Sequence, residues 1–138
     1  MFETVVVGAD ASDTATEAVR QAIELVRLTG GTLHIVSAYR PQQLSTGGSE
    51  EQGLESGDLA ESVLADHASR ARAAGLEART HARSGAPAEA IVAVASEVDA
   101  DLIVVGNKGM IGMRRVLGSV PNSVAHHAPC SVLIAFTS

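Results

Sequence analysis

Apolar positions along this chain come in two spacings that alternate from one end to the other. Thr4–Gly8 and Thr32–Tyr39 are short runs rich in β-branched residues, and Leu102–Val105 and Ser131–Phe136 are continuous apolar runs. Such runs predict strands, the last two buried on both faces as in a parallel sheet. Glu77–Arg83 alternates polar and apolar, as an edge strand does. Between these runs the period lengthens to that of a helix. Ala15, Ala18, Val19, Ala22, Ile23 and Val26 form one stripe, with a Thr14/Glu17 capping-box spacing before it and Gly30-Gly31 after it. Leu59, Val63, Leu64, Ala68 and Ala71 form a second, closed by Gly75. Pro87 suits a first helical turn ahead of Ile91, Val94, Ala95 and Val98, and Pro121 does the same for a last helix opening at Ser119.

The order β-α-β-α-β-α-β-α-β predicts an α/β fold: one doubly wound, five-stranded parallel sheet with helices on both faces. The expected strand order is 3-2-1-4-5, a Rossmann-like arrangement in a single domain over residues 1–138. Arg40–Asp58 breaks the rhythm. Its glycines, glutamines and the Glu50-Glu51 pair leave only Leu44 and Leu54 apolar, so a mobile loop or lid is expected there.

Composition narrows the picture. Apolar residues make up 46% of the 138, yet only Phe2, Tyr39 and Phe136 are aromatic, so the core must be aliphatic and alanine-rich. Cys130 is the single cysteine, which excludes an intrachain disulfide. The start Met1-Phe2-Glu3-Thr4 has no basic region or signal-type run, and no apolar stretch nears the ~20 residues of a membrane span. A cytoplasmic protein without membrane attachment is expected. The net charge of −6 argues against nucleic acid or an anionic membrane as partner. Its distribution is uneven: residues 1–101 carry all 16 acids, whereas residues 102–138 carry none and hold Lys108, Arg114 and Arg115. That island suits a small anion or is simply a solvated loop; charge by itself does not choose.

The motif inside the island is more specific. Gly106-Asn107-Lys108-Gly109 follows the fourth strand, and after eight residues Gly118-Ser119 opens the last helix. Glycines between a buried strand and a helix N-terminus allow close approach to unpaired N–H donors at the positive end of the helix dipole, an arrangement that suits phosphate. In a sheet of order 3-2-1-4-5 the winding reverses between strands 1 and 4. The loop Gly8-Ala9-Asp10-Ala11-Ser12 then faces the Gly106–Gly118 loop across the ligand-binding crevice.

Several stretches together resemble the universal stress protein family over the whole chain: Val5-Val6-Val7-Gly8-Ala9-Asp10-Ala11-Ser12, Leu33–Tyr39, Val104-Val105-Gly106-Asn107-Lys108-Gly109, Gly118-Ser119-Val120-Pro121-Asn122 and Ala128-Pro129-Cys130-Ser131-Val132-Leu133-Ile134. The nucleotide-binding branch of that family has Gly, two residues, Gly, nine residues, then Gly and Ser or Thr; here the long spacing is eight. The resemblance implies ATP as ligand, with any Mg²⁺ held mainly by phosphates and water. Cyclic AMP is the alternative, since a shorter loop offers fewer donors to outer phosphates. It further implies that Asp10 meets the adenine end beside Gly8 and Ala9, and that Ser37 and Ala38 offer main-chain groups to the base. Gly106, Asn107 and Gly109, following Val105, would line the ribose and first phosphates. Gly118, Ser119 and Val120 would take the outer phosphates. Asp10 could equally cap the first helix.

Other chemistry is weakly encoded. Ser119 and His126 or His127 stand roughly 10–12 Å apart along a helix, too far for a nucleophile–base pair. His126 and His127 point about 100° apart and make poor joint metal ligands, while a cation is favoured near their helix C-terminus. His34 reads as structural and Cys130 as a small buried hydrophobe. With no acid in residues 102–138, no efficient enzyme is expected. A nucleotide-dependent regulator acting on an unidentified protein partner is expected, with a nucleotide-free interaction module as the other class. Exposed in a monomer, Ser131–Phe136 would be covered by its own copy in a homodimer, as family members commonly do.

Overall fold

The computed structural model describes residues 1–40, 56–107 and 118–137. In chain order the elements are β1 (Thr4–Gly8), α1 (Asp13–Thr29), β2 (Thr32–Tyr39), α2 (Gly57–Ala73), β3 (Glu77–Ser84), α3 (Pro87–Glu97), β4 (Leu102–Gly106), α4 (Ser119–His127) and β5 (Ser131–Ala135). The five strands form one parallel sheet ordered β3-β2-β1-β4-β5, the predicted 3-2-1-4-5. Most of the expected loop, residues 41–55, lies outside the described residues, as do Lys108, Gly109, Arg114 and Arg115.

Successive strand residues point to opposite faces, which divides the core in two. Val5 and Val7, Leu33 and Ile35, and Leu102 and Val104 pack beneath α1 and α2. Val6, Val36, Ile103 and Val105 pack beneath α3 and α4. Central β1 buries its three valines completely. Each such side chain contributes roughly 1.5–3 kcal/mol relative to exposure, which makes β1 the anchor of both layers.

Three local expectations give way. Ser12, not Thr14, caps α1: its hydroxyl accepts from the Ala15 N–H at 3.1 Å, and its backbone (φ −82°, ψ 160°) has the extended form a cap needs. Glu17 instead turns to Arg20 and Gln21. In α2, Ser56 is the cap, and the face packed on the sheet leaves Leu59 43% exposed while Ala60 and His67 join the buried stripe. Finally, β5 is not covered on both faces. Among the described residues it pairs only with β4, and α1 packs over β1 and β4, with Leu133 41% and nearby Phe136 65% exposed.

Candidate functional site

Above the carboxyl ends of β1 and β4 lies a cleft of about 450 Å³, within the range of small-molecule sites. Three helix N-termini and the end of β2 enclose it.

The first wall is the β1–α1 turn. Asp10 Oδ1 accepts from the Ser12 N–H at 2.8 Å and from the Ser12 hydroxyl at 2.5 Å, while that hydroxyl accepts from Ala15. One carboxylate oxygen is therefore committed to the turn, and α1 receives a side-chain cap. Ser12, Thr14 and Ala15 line the cleft beside Ala9 and Asp10.

The second wall is α3, through Pro87 and Ile91. A Cβ on Gly8 would stand 2.5 Å from Ile91 Cδ1, so glycine here admits the α3 side chain. A Cβ on Gly106 would meet Thr137 Cγ2 at 3.3 Å and the Thr14 carbonyl at 3.5 Å, so glycine there admits α1 and the chain leaving β5. Positive φ among described glycines belongs to Gly30, Gly75 and Gly85. The close approach expected of Gly8 and Gly106 is thus made by the protein's own packing.

The third wall is α4. Gly118 occupies its N-cap at φ −64° and ψ 165°, with no side-chain cap hydrogen bond and no acid in the first turn. The Ser119 and Val120 N–H groups precede the first helical partner. Pro121 has none to offer, and the Asn122 N–H closes onto the Gly118 carbonyl at 3.1 Å. Gly118, Ser119, Val120 and Pro121 all line the cleft.

The floor holds Val36, Ala38, Val105 and Gly106. The β1–β2 ladder ends where the Ala9 N–H bonds the Val36 carbonyl at 2.9 Å. On the other side of β2, the Tyr39 carbonyl accepts from the Gly85 N–H at 3.0 Å. Main-chain groups alternate sides along a strand, so the N–H and C=O of Ala38 point past the end of β1 into the crevice.

Of the predicted site residues, Gly8, Ala9, Asp10, Ala38, Val105, Gly106, Gly118, Ser119 and Val120 meet at this cleft. Two do not. Ser37 is buried within the sheet, and Asn107, 4% exposed, uses its carboxamide oxygen to accept from the Thr137 N–H at 2.9 Å and hydroxyl at 2.6 Å. Asn107 therefore ties the exits of β4 and β5 together. Gly109 lies outside the described residues. Pro87, Ile91 and Pro121 were not expected in the wall. A first-turn proline in a helix following a strand of a parallel sheet sits at the ligand edge, and that signal was in the sequence.

Away from the cleft, His127 Nδ1–H donates to the Ser123 carbonyl at 2.9 Å, and burial pushes the half-buried Cys130 thiol up. No described helix is long and apolar enough to cross a membrane.

Known proteins share this sequence and architecture. A universal stress protein of Mycobacterium tuberculosis is 37% identical over 144 residues, covering 99% of this chain and 98% of the relative. The crystal structure of a universal stress protein in complex with cAMP superposes with a TM-score of 0.79 at 37% identity, covering 99% of this chain and 98% of that one. A universal stress protein from Archaeoglobus fulgidus in complex with dAMP superposes with a TM-score of 0.68 at 28% identity, covering 97% of each chain. The profile described as the universal stress protein family matches residues 1–135. With the parallel order β3-β2-β1-β4-β5 and a cleft at its reversal point, this chain belongs to the universal stress protein family.

Proposed function

We propose that the cleft binds an adenine nucleotide, with the base on Ala38 and phosphate on the first turn of α4. One juxtaposition carries this reading: a main-chain donor–acceptor pair at the end of β2 shares a cleft with a helix N-terminus that lacks a side-chain cap. Adenine presents an acceptor ring nitrogen beside an exocyclic amine, which suits the N–H and C=O of Ala38. Guanine presents the reverse pattern and would set donor against donor. Asp10 shapes the wall, but one of its oxygens is already held by Ser12, so base choice rests chiefly on Ala38.

Each N–H bonded to a charged oxygen contributes roughly 1.5–3 kcal/mol, and a few of these minus ordering costs give micromolar affinity. ATP is the first reading, with Mg²⁺ held by phosphates and water. Cyclic AMP is the second. It is favoured by the eight-residue glycine spacing and by the cAMP complex of the 37%-identical relative. The dAMP complex of the Archaeoglobus fulgidus protein supports the shared adenylate core of both.

Nucleotide occupancy is proposed to act through a protein partner rather than through turnover, since residues 102–138 supply no acid to hold a metal or orient water. Pairing of β5 with a second copy would cover Leu133 and Phe136.

Calorimetric competition among ATP, AMP, cyclic AMP and GTP tests the reading. Micromolar binding of at least one adenine nucleotide is expected, with GTP at least about tenfold weaker. No heat and no thermal shift with any adenine nucleotide would sink it.

A further inference from the structure

On the α3 face of the sheet, one pair of side chains has no part in the site described above. His34 on β2 and His81 on β3 meet with Nδ1 and Nε2 2.9 Å apart and ring centroids 5.1 Å apart. His34 is buried and His81 half-buried. His81 is the register partner of Val36, which lines the cleft. The helix over this face, α3, brings Pro87 and Ile91 to the cleft at one end and Glu97 to β3 at the other.

The charged groups around the pair are bonded to one another. Glu97 holds Arg83 through two bonds of 2.7 and 2.8 Å, and Glu77 holds Arg79 at 2.7 Å. Glu77 still favours a charged His34 and Glu97 a charged His81, but burial and the neighbouring arginines outweigh them. One added proton can be borne, because a charged ring still donates to its neutral neighbour. Two cannot, because both facing nitrogens would then carry hydrogen. The two rings therefore titrate as a coupled unit.

We propose that the His34–His81 pair is an acid-sensitive latch: its second proton parts the rings, loosens α3 from the sheet edge, and so lowers the affinity of the cleft for nucleotide. Only the last step rests on the nucleotide reading. Burial first, then the positive charge of its neighbours, holds each ring below the usual histidine value of 6.5. The sign follows. The contribution of the pair to stability is complete above 6.5 and is lost as pH falls through the depressed folded-state values.

Three measurements on the full chain decide the matter. By NMR, the two imidazoles should titrate in linked steps below 6.5; independent titration at the ordinary value overturns the latch. Hydrogen-exchange protection, corrected for intrinsic rates, should fall in α3 more than in α1 between about pH 7.5 and about pH 5. An equal change in both helices, or none, overturns it. Third, cyclic AMP is titrated at both pH values, since its diester lacks the proton that a phosphomonoester loses near about pH 6. Wild type should bind about tenfold more weakly in acid. The double variant His34→Asn/His81→Gln, which keeps a bond without a titrating pair, should not. If the variant keeps the wild-type response, the buried His67 or another group is responsible and the latch is wrong. If neither cyclic AMP nor ATP binds wild type at the higher pH, the nucleotide reading fails, and the first two measurements still judge the latch. They do so equally if the double variant fails to fold.

Discussion

Two helices aim their N-termini at the same cleft and are finished in opposite ways. At α1, Ser12 caps the helix, Asp13 sits in the first turn, and the Asp10 carboxylate folds onto Ser12. At α4, glycine stands at the cap, no acid follows, and Pro121 removes one donor. Both begin with amides that have no partner within the helix. α1 satisfies its Ala15 amide through the Ser12 hydroxyl; α4 keeps the Ser119 and Val120 amides at the cleft with no side-chain cap. Helix α3 lies between these cases, without a side-chain cap but with Glu89 in its first turn. In the proposed reading, the omitted cap at α4 is what leaves room for phosphate.

The sharpest way to break this contrast is to finish α4 as α1 is finished. Gly118→Asp should lower nucleotide affinity by about 100-fold, because a carboxylate would occupy the donors and repel phosphate. The melting temperature should hold or rise slightly. An affinity within threefold of wild type would show that the phosphate lies elsewhere.

A smaller effect is expected at the β1 end. Gly8→Val would drive methyl groups into Ile91 and should cost about 1–3 kcal/mol in urea unfolding. If stability is unchanged but nucleotide affinity is lost, the glycine serves the ligand directly and its packing role is wrong.

Ser12→Ala removes the cap of α1 together with the hydroxyl that donates to Asp10, leaving the backbone N–H bond to that carboxylate in place. A loss of about 1 kcal/mol in stability is expected. Affinity should change much less than in the α4 variant; a comparable loss would mean that the two helix ends are not different in kind.

The smallest change is expected for Gly106→Ala. The neighbours of its added Cβ, at 3.3 Å and beyond, belong to Thr137 and α1. Stability should fall by less than about 1 kcal/mol with affinity nearly unchanged. Abolished binding with an intact fold would return this glycine to the phosphate site.

Much of the architecture was legible because its signals are local. The β-branched runs and helical stripes needed no partner to be recognised, and the handedness of parallel connections left few ways to arrange them. Errors fell where two nearby residues competed for one task. Thr14 fitted a capping-box spacing, but Ser12, held in a turn by Asp10, took the cap. Leu59 fitted the apolar stripe of α2, but packing on the sheet turned Ala60, Leu64 and His67 inward instead. Asn107 sat inside the glycine motif, yet Thr137, distant in sequence, claimed its side chain.

By itself the sequence determined which segments are strands and helices, their order, and the two loops that meet at the winding reversal. Those are consequences of periodicity and chain topology, which act over short stretches or follow from connection rules. Only the tertiary structure decided what each missing Cβ makes room for: Ile91 at Gly8, α1 and Thr137 at Gly106. It also decided that Ala38 rather than Ser37 turns its main chain to the crevice. Such assignments depend on which atoms from remote parts of the chain stand opposite, and no local pattern encodes that.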